Sequence, residues 1–207
     1  MLEFLPPGAR RALDVGCGGG VFGLSLKKKF GCETWGVESQ PAAAEKASSR
    51  LDHVVHGYFS EGVSLPVGYF DCIFFNDVLE HMASPWAALE LAKQYLTTNG
   101  IVVASIPSIR HFPTLWKLVV HGEWRYQEAG TLDRTHLRFF TQQTIEDLFF
   151  GTGYRILLLK GIRPFHGTDE DDRLWRYFKV LNLLTLGYIS DMKFLQYAVC
   201  AKPVLNV

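Results

Sequence analysis

The run Ala12–Gly23, ALDVGCGGGVFG, constrains this chain more than any other stretch. A short apolar segment ends in Asp14, and glycines follow at 16, 18, 19, 20 and 23. An apolar run that stops at glycine reads as a short buried strand. VFGLSLKKK at 21–29 reads as a helix whose lysines oppose the dipole at its C-terminus. A glycine-rich turn between a strand and a helix brings backbone against a ligand. Gly18, Gly20 and Gly23 satisfy GxGxxG, and Glu38 lies 20 residues beyond Gly18. That spacing suits a dinucleotide fold. Asp14 argues against a dinucleotide, because a carboxylate there would face a pyrophosphate. It suits a ligand that carries an ammonium group, with Glu38 free for ribose hydroxyls. A plain structural part for Asp14, accepting hydrogen bonds from loop N–H groups, is compatible with either.

The rest of the chain continues the alternation. Strands are expected over 32–39, 53–57, 70–75 and 101–107, with helices over 41–49 and from Pro85 to just before Asn99-Gly100. Ser84 and Thr141 are good helix caps. Late strands are expected at 154–161 and 194–204. The pattern predicts an α/β fold, a Rossmann-like three-layer sandwich around a mostly parallel sheet. With 207 residues, one domain over 1–207 is expected. Substrate-side insertions interrupt it at about 108–140 and 162–193. The first has no clear period; the second holds an acidic turn, TDEDD, and a partly basic apolar helix. Packing of that helix on the core, with its cations outward, is the expected arrangement. A membrane surface or lipid-like substrate is the other use of such a helix.

Formal net charge is zero, which removes any general drive toward nucleic acid or anionic membrane. The four cysteines form no CxxC and no zinc spacing, so buried free thiols and a cytoplasmic setting are expected. No apolar run is long enough to span a membrane, and the N-terminus lacks a signal-peptide pattern.

LDVGCGGGVFG, the acid in WGVES and FDCIFFNDVLEH together resemble the class I S-adenosylmethionine-dependent methyltransferases. HLRFFTQQTIEDLFFGTGY narrows the resemblance to the type 11/23 group. The resemblance implies a seven-stranded sheet with the last strand antiparallel, and S-adenosyl-L-methionine as cofactor. It implies that Asp14, Gly16, Cys17 and Gly18 line the methionine side and that Glu38 takes the ribose. Asn76 would lie near the sulfonium. Tyr58 stands where the family often has an acid for the adenine amine, so Tyr58 or Phe59 is expected to pack near adenine instead.

Methyl transfer is an in-line displacement that needs alignment and exclusion of water; a base matters only where the nucleophile must lose a proton. His81 and His136 are the candidate bases. His81 reads equally as a structural residue ordering the loop before Ser84. Glu80 can orient His81 or bind a metal, but two adjacent residues make no ligand set, and no metal is expected. Alternation in HLRFF would send His136 and Arg138 to the pocket and Leu137 and Phe139 into the core. Arg134 and Arg138 can hold an anionic group or pin the insertion through ion pairs.

The function expected is methyl transfer to a small molecule, with an oxygen nucleophile preferred. An NAD-dependent oxidoreductase and a non-catalytic cofactor-binding protein are the alternatives. No nucleic acid partner or integral membrane association is expected; peripheral membrane contact and a homodimer stay open.

Overall fold

The computed structural model describes residues 1–166 and 172–204. Seven strands form one sheet in the order β3-β2-β1-β4-β5-β7-β6. They are β1 (Arg11–Val15), β2 (Glu33–Glu38), β3 (His53–His56), β4 (Phe70–Asn76), β5 (Leu96–Pro107), β6 (Tyr154–Pro164) and β7 (Phe194–Pro203). The first five pair in parallel, and β7 runs antiparallel between β5 and β6. The helices are α1 (Val21–Phe30), α2 (Pro41–Ser48), α3 (Pro85–Tyr95), α4 (Phe112–His121), α5 (Gln142–Gly151) and α6 (Asp172–Leu184).

Period two along the strands divides the core. Ile73 and Phe75 of β4 join Leu13, Val15, Val102 and Ala104 on the face covered by Leu89 of α3 and Ile145 and Phe149 of α5. Cys72 and Phe74 point the other way, with Ala12 and Val103, onto Leu26 of α1. Because both faces are covered, the central strands are apolar throughout rather than alternating. Met1, Leu2, Phe4 and Leu5 pack against the second face, beside Phe22. Ser84 caps α3 by accepting from the Ala87 N–H, 3.3 Å, and Thr141 forms a capping box with Thr144.

All four cysteines are buried and free. Among the described residues, no helix is long and apolar enough to cross a membrane.

Three expectations need correction. α3 ends at Tyr95 rather than just before Asn99-Gly100, because Leu96 already pairs with Phe70 and the register shifts before Ile101 meets Cys72. The insertion at 108–140 contains a helix, α4, that the sequence did not show. Its last turn exposes Leu118, Val119 and Val120, so its apolar residues do not all mark a buried face. The helix α6 buries only Phe178, and its C-terminal half faces solvent with apolar side chains. The acidic turn, apart from Asp172, lies outside the described residues.

Candidate cofactor and acceptor site

The site lies where β1, β2, β4 and β5 end together, the place open parallel sheets offer to ligands. The loop after β1 turns back over the sheet, with the Gly16 and Cys17 N–H groups donating to the Val37 carbonyl of β2 at 2.8 and 3.1 Å. Gly16 and Gly18 have φ of 67° and 53°, the left-handed region that glycine tolerates. Their reasons differ. A Cβ on Gly16 would stand 2.7 Å from Val78 Cγ2, whereas one on Gly18 would meet nothing within 4 Å. Gly16 therefore answers to the protein's own packing, and Gly18 faces open space.

The structural part of accepting from loop N–H groups falls to Glu38 rather than to Asp14. Glu38 holds the loop: its Oε2 accepts from the Gly18 N–H at 2.8 Å and its Oε1 from the Gln40 N–H at 2.7 Å. Each oxygen keeps a second lone pair for a ligand hydroxyl. Asp14 is 3% exposed and takes one side-chain hydrogen bond, from Asn76 Nδ2 at 3.4 Å. Burial, with the nearby Glu38 charge adding to it, pushes the Asp14 carboxyl up to about 7 against the stabilising Asn76 contact. No cationic side chain among the described residues pairs with it.

A cleft of about 450 Å³ runs over this loop, lined by Gly16, Glu38, Gly57, Tyr58, Met82 and Asp77. Val37, Val78 and Met82 give it apolar walls. Tyr58 is 76% exposed at its rim, while Phe59 is mostly a core residue, packed edge-on against Phe75 and Tyr95. Cys17 turns its thiol inward onto Ala47 and Leu51, so only its backbone borders the loop. Sequence reasoning did not find Ser39, Gln40, Val78 or Met82 in this lining; single loop residues after strands, polar or apolar, carry no local signal. Asp77 also lines a second cavity of about 470 Å³, with Asn76, Ser105 and Gln196 on its floor and Leu2, Phe4 and Phe22 above. The Asn76 Oδ1 and Gln196 Oε1 atoms are buried there without hydrogen-bond partners. A larger open groove of about 860 Å³ shares Tyr58, Phe59, His81 and Met82 with the first cleft.

Asp77 takes φ 55°, a conformation aspartate tolerates better than most residues. Its Oδ1 accepts from Ser105 Oγ at 2.8 Å and Gln196 Nε2 at 2.7 Å, which ties the end of β4 to β5 and β7. The turn that follows carries Glu80 and His81. The Leu137 and Arg138 N–H groups donate to the Glu80 carbonyl at 2.8 and 3.0 Å. This pairing brings His136 out of the insertion onto Glu80 and His81.

One atom from each of Glu80, His81 and His136 lies within 4.8 Å of the others. The Glu80 side chain is 1% exposed, and neither of its oxygens has a partner. His81 Nδ1 lies 3.2 Å from the Thr135 carbonyl, and His136 Nδ1 3.1 Å from that of Thr131. A ring that donates from Nδ1 to a carbonyl leaves Nε2 with a free lone pair. His136 Nε2 stands 3.9 Å from Glu80 Oε1, but this is not an ion pair at neutral pH. Burial pushes the Glu80 carboxyl up to about 8 and the His136 imidazole down, so both are neutral. Two imidazole nitrogens and a carboxylate, each oriented by a carbonyl or buried, form a set that can hold a divalent transition metal with positions to spare. A count of adjacent residues did not find this set, because His136 arrives from a distant segment.

The apolar half of the HLRFF expectation does not hold. His136 is buried, while Leu137 and Phe139 are 54% and 38% exposed, because the segment hydrogen-bonds to the Glu80 turn at the surface. Arg138 donates to the Ala83 carbonyl at 2.6 Å and lies over the Trp86 ring, and Arg134 pairs with Glu128. Both arginines pin the insertion, and neither lines the clefts described above.

The sequence pattern of a methyltransferase domain matches residues 1–159. A ubiquinone biosynthesis O-methyltransferase of Cereibacter sphaeroides is 27% identical over 168 residues, 76% of this chain and 65% of that protein. The mitochondrial protein of the same name from Schizosaccharomyces pombe is 33% identical over 104 residues, 46% of this chain and 37% of that protein. This chain thus spans less than two thirds of the length of these two curated relatives. A methyltransferase from Archaeoglobus fulgidus, solved as an S-adenosylmethionine-dependent enzyme, shares the fold with a TM-score of 0.68 and 22% identity, over 94% of this chain and 86% of that one. None of these relatives supports the nicotinamide or the non-catalytic reading. With the strand order, the glycine loop and the paired acids in place, the chain belongs to the methyltransferase domain family.

Proposed function

We propose that this chain transfers the methyl group of S-adenosylmethionine to a hydroxyl oxygen of a small aromatic acceptor. The observation that carries the reading is Asp14, a buried carboxyl group without a cationic partner among the described residues, beside a cleft whose other acid is already tied to the loop. An ammonium group completes Asp14; a pyrophosphate would be repelled by it. Glu38 offers its remaining lone pairs to the ribose, and Gly18 leaves room for the ligand against its backbone. The rim at Gly57 and Tyr58 takes the adenine, with Phe59 as the core support behind it. Asn76, at the junction with the second cavity, lies toward the sulfonium.

An aromatic hydroxyl has a pKa near 10, so its proton must be taken up as the oxygen attacks. His81 and His136 supply the free nitrogens for that, and His81 lines the cleft directly. The names of the curated relatives, O-methyltransferases, agree with an oxygen acceptor. Glu80, His81 and His136 also fit a divalent metal ion, which when bound would lower the pKa of a coordinated hydroxyl.

Calorimetric titration with S-adenosylhomocysteine and with NADH, at matched concentrations, tests the cofactor. Micromolar binding of the first alone is expected, followed by methylation of a catechol in preference to an aryl amine. Selective NADH binding, or binding of neither, overturns the reading.

The affinity for S-adenosylhomocysteine also follows the Asp14 charge. Its carboxyl titrates near 7 in the free protein rather than at the usual 3.8, so below pH 7 it is protonated and must lose that proton to meet an ammonium. Affinity is expected to fall as pH drops from 7.5 to 5.5, approaching about tenfold per unit. The same titration on Asp14→Asn should be weak and flat across that range. A wild-type affinity independent of pH would show that Asp14 does not face the ammonium.

A further inference from the structure

We propose that the second cavity, of about 470 Å³ over β4, β5 and β7, takes the end of the acceptor remote from its reacting hydroxyl, and that Gln196 selects a second hydrogen-bond donor there, a hydroxyl or an ammonium group. The ligand is the aromatic acceptor proposed above, so this site rests on that reading.

The floor of the cavity holds acceptors whose donors are already spent. Asp77 Oδ1 accepts from Ser105 Oγ at 2.8 Å and from Gln196 Nε2 at 2.7 Å. A carboxylate only accepts, so it fixes the Gln196 amide with its NH2 toward Asp77 and leaves Oε1 as the unused end. That oxygen is buried without a hydrogen-bond partner among the described residues, on a residue 5% exposed. The Asn76 amide is set in the same way, its Nδ2 spent on Asp14 at 3.4 Å and its Oδ1 buried and unpartnered. A buried oxygen left without a donor costs free energy and calls for a partner. Gln196 cannot relieve this by moving, since its backbone pairs with Pro107 on one side and Ile162 on the other, and its amide is held by Asp77. In the sheet it stands three strands from β1, about 14 Å at a spacing of about 4.8 Å, so an ammonium group on Asp14 is out of its reach.

Backbone strain gathers at the same place. Among the described residues three that are not glycine have positive φ, and two of them, Asp77 at 55° and Arg163 at 48°, line this cavity. Such conformations cluster at ligand sites. Ile162 and Arg163 are neighbours on β6 and by strand alternation would face opposite ways. The left-handed backbone at Arg163 brings both to the cavity, between the pairs Ile162–Gln196 and Pro164–Phe194.

The roof is apolar, made by Leu2, Phe4 and Phe22, the last meeting Phe74 edge-on at 4.9 Å. An apolar roof over an oxygen floor suits a flat ring whose edge carries a donor, and the volume lies in the usual range of about 300–1,000 Å³ for small ligands. Asp77 lines both this cavity and the cofactor cleft, with Gln196 in the cavity and His81 in the cleft. A ring that reaches both spans Asp77, its reacting hydroxyl toward His81 and its second donor opposite. The charged groups on the cavity are Asp77, Glu3 and Arg163; Glu3 pairs with Lys160 at 3.5 Å, and Arg163 is exposed at the rim. A carboxylate placed on the floor would meet only oxygens.

NMR titration with four para-substituted phenols tests the site: para-hydroxybenzyl alcohol, para-hydroxybenzylamine, para-ethylphenol and para-hydroxybenzoate. Each is added to the protein saturated with S-adenosylhomocysteine and to the protein alone. The alcohol or the amine should bind at least about tenfold tighter than para-ethylphenol, which has their shape without the donor, and para-hydroxybenzoate should bind weakest. Preference for the alcohol alone identifies a hydroxyl, and for the amine alone an ammonium group. Gln196→Met should bring the preferred ligand within about twofold of para-ethylphenol. Ser105→Ala removes the other side-chain bond to Asp77 Oδ1 but leaves the Gln196 oxygen, so it should keep the preference. A merely structural network would lose it in both variants. Equal or tighter binding of para-ethylphenol, tightest binding of para-hydroxybenzoate, no binding of any of the four, survival of the preference in Gln196→Met or its loss in Ser105→Ala overturns the proposal. The preference is read in the protein alone as well, without cofactor or methyl transfer, so its failure and a failure to bind S-adenosylhomocysteine are separate results.

Discussion

Glu38→Ala is expected to remove measurable S-adenosylhomocysteine binding and to lower the melting temperature together. Two backbone N–H groups, those of Gly18 and Gln40, donate to this one carboxylate at 2.8 and 2.7 Å. Alanine leaves both donors without an acceptor in a site where Glu38 itself is only 8% exposed. An unpaired buried donor costs about 1–3 kcal/mol, and water reaching Gly18 reduces the lower of the two costs. A loss of about 2–4 kcal/mol corresponds to a fall in Tm on the order of 5–15 °C for a domain of this size. Binding suffers twice, from the lost ribose contacts and from a glycine loop no longer held in place. A loss of at least about 100-fold is expected, since hydrogen bonds to a charged group contribute about 1.5–3 kcal/mol each. Glu38→Gln keeps one acceptor but turns an NH2 toward the other N–H, so it should fall between the two. Calorimetry and thermal denaturation of the three proteins check this. Binding by Glu38→Ala within about threefold of the wild type would show that Glu38 serves the loop and not the ligand.

The same residue shows how far the sequence could be read. The strand, loop and helix around Gly18 were legible because period, glycine spacing and a downstream acid are local signals. So were the strand positions, since parallel strands covered on both faces are unbroken apolar runs. The division of labour between Asp14 and Glu38 was not legible. It depends on the Val37 carbonyl capturing the Gly16 and Cys17 N–H groups, which turns the loop toward β2 and brings Gly18 onto Glu38. His136 was visible as a candidate, but its meeting with Glu80 was not, because backbone bonds from Leu137 and Arg138 to the Glu80 carbonyl create it. Cys17 looked like part of the binding loop and is so only by its backbone; the thiol packs on Leu51, a contact set by α2. Leu137 and Phe139 misled for a related reason. Alternation predicts burial only where a strand lies on a sheet, and this segment pairs with a turn at the surface. The exposed end of α6 is the sharpest departure, since apolar periodicity on a helix ordinarily means a core beneath it.

Glu80→Met is expected to lower kcat by about 10²- to 10³-fold, the range for loss of a group that positions a proton-accepting imidazole or holds a metal. S-adenosylhomocysteine affinity should stay within about threefold, because Glu80 is not among the cleft-lining side chains. The substitution keeps the side chain's size and removes two buried oxygens that have no hydrogen-bond partner among the described residues. Replacing an unpaired buried polar group by an apolar one of similar shape is neutral or stabilising, so Tm should hold or rise. A group whose removal costs activity without costing stability serves the reaction rather than the fold. His136→Ala should lower kcat to a similar degree but also lower Tm, since its ring is buried and bonded to the Thr131 carbonyl. Combining the two should do little more than either alone, as expected of residues acting as one unit. Treatment of the wild type with a chelator separates the two chemistries that these side chains can support. Activity lost to the chelator and restored by a divalent metal, with no such response left in Glu80→Met, identifies a metal held by the cluster. Unchanged activity identifies a nitrogen acting directly on the acceptor proton. Full activity in Glu80→Met would exclude both and place the acceptor elsewhere, beside the unpartnered Asn76 and Gln196 oxygens of the second cavity.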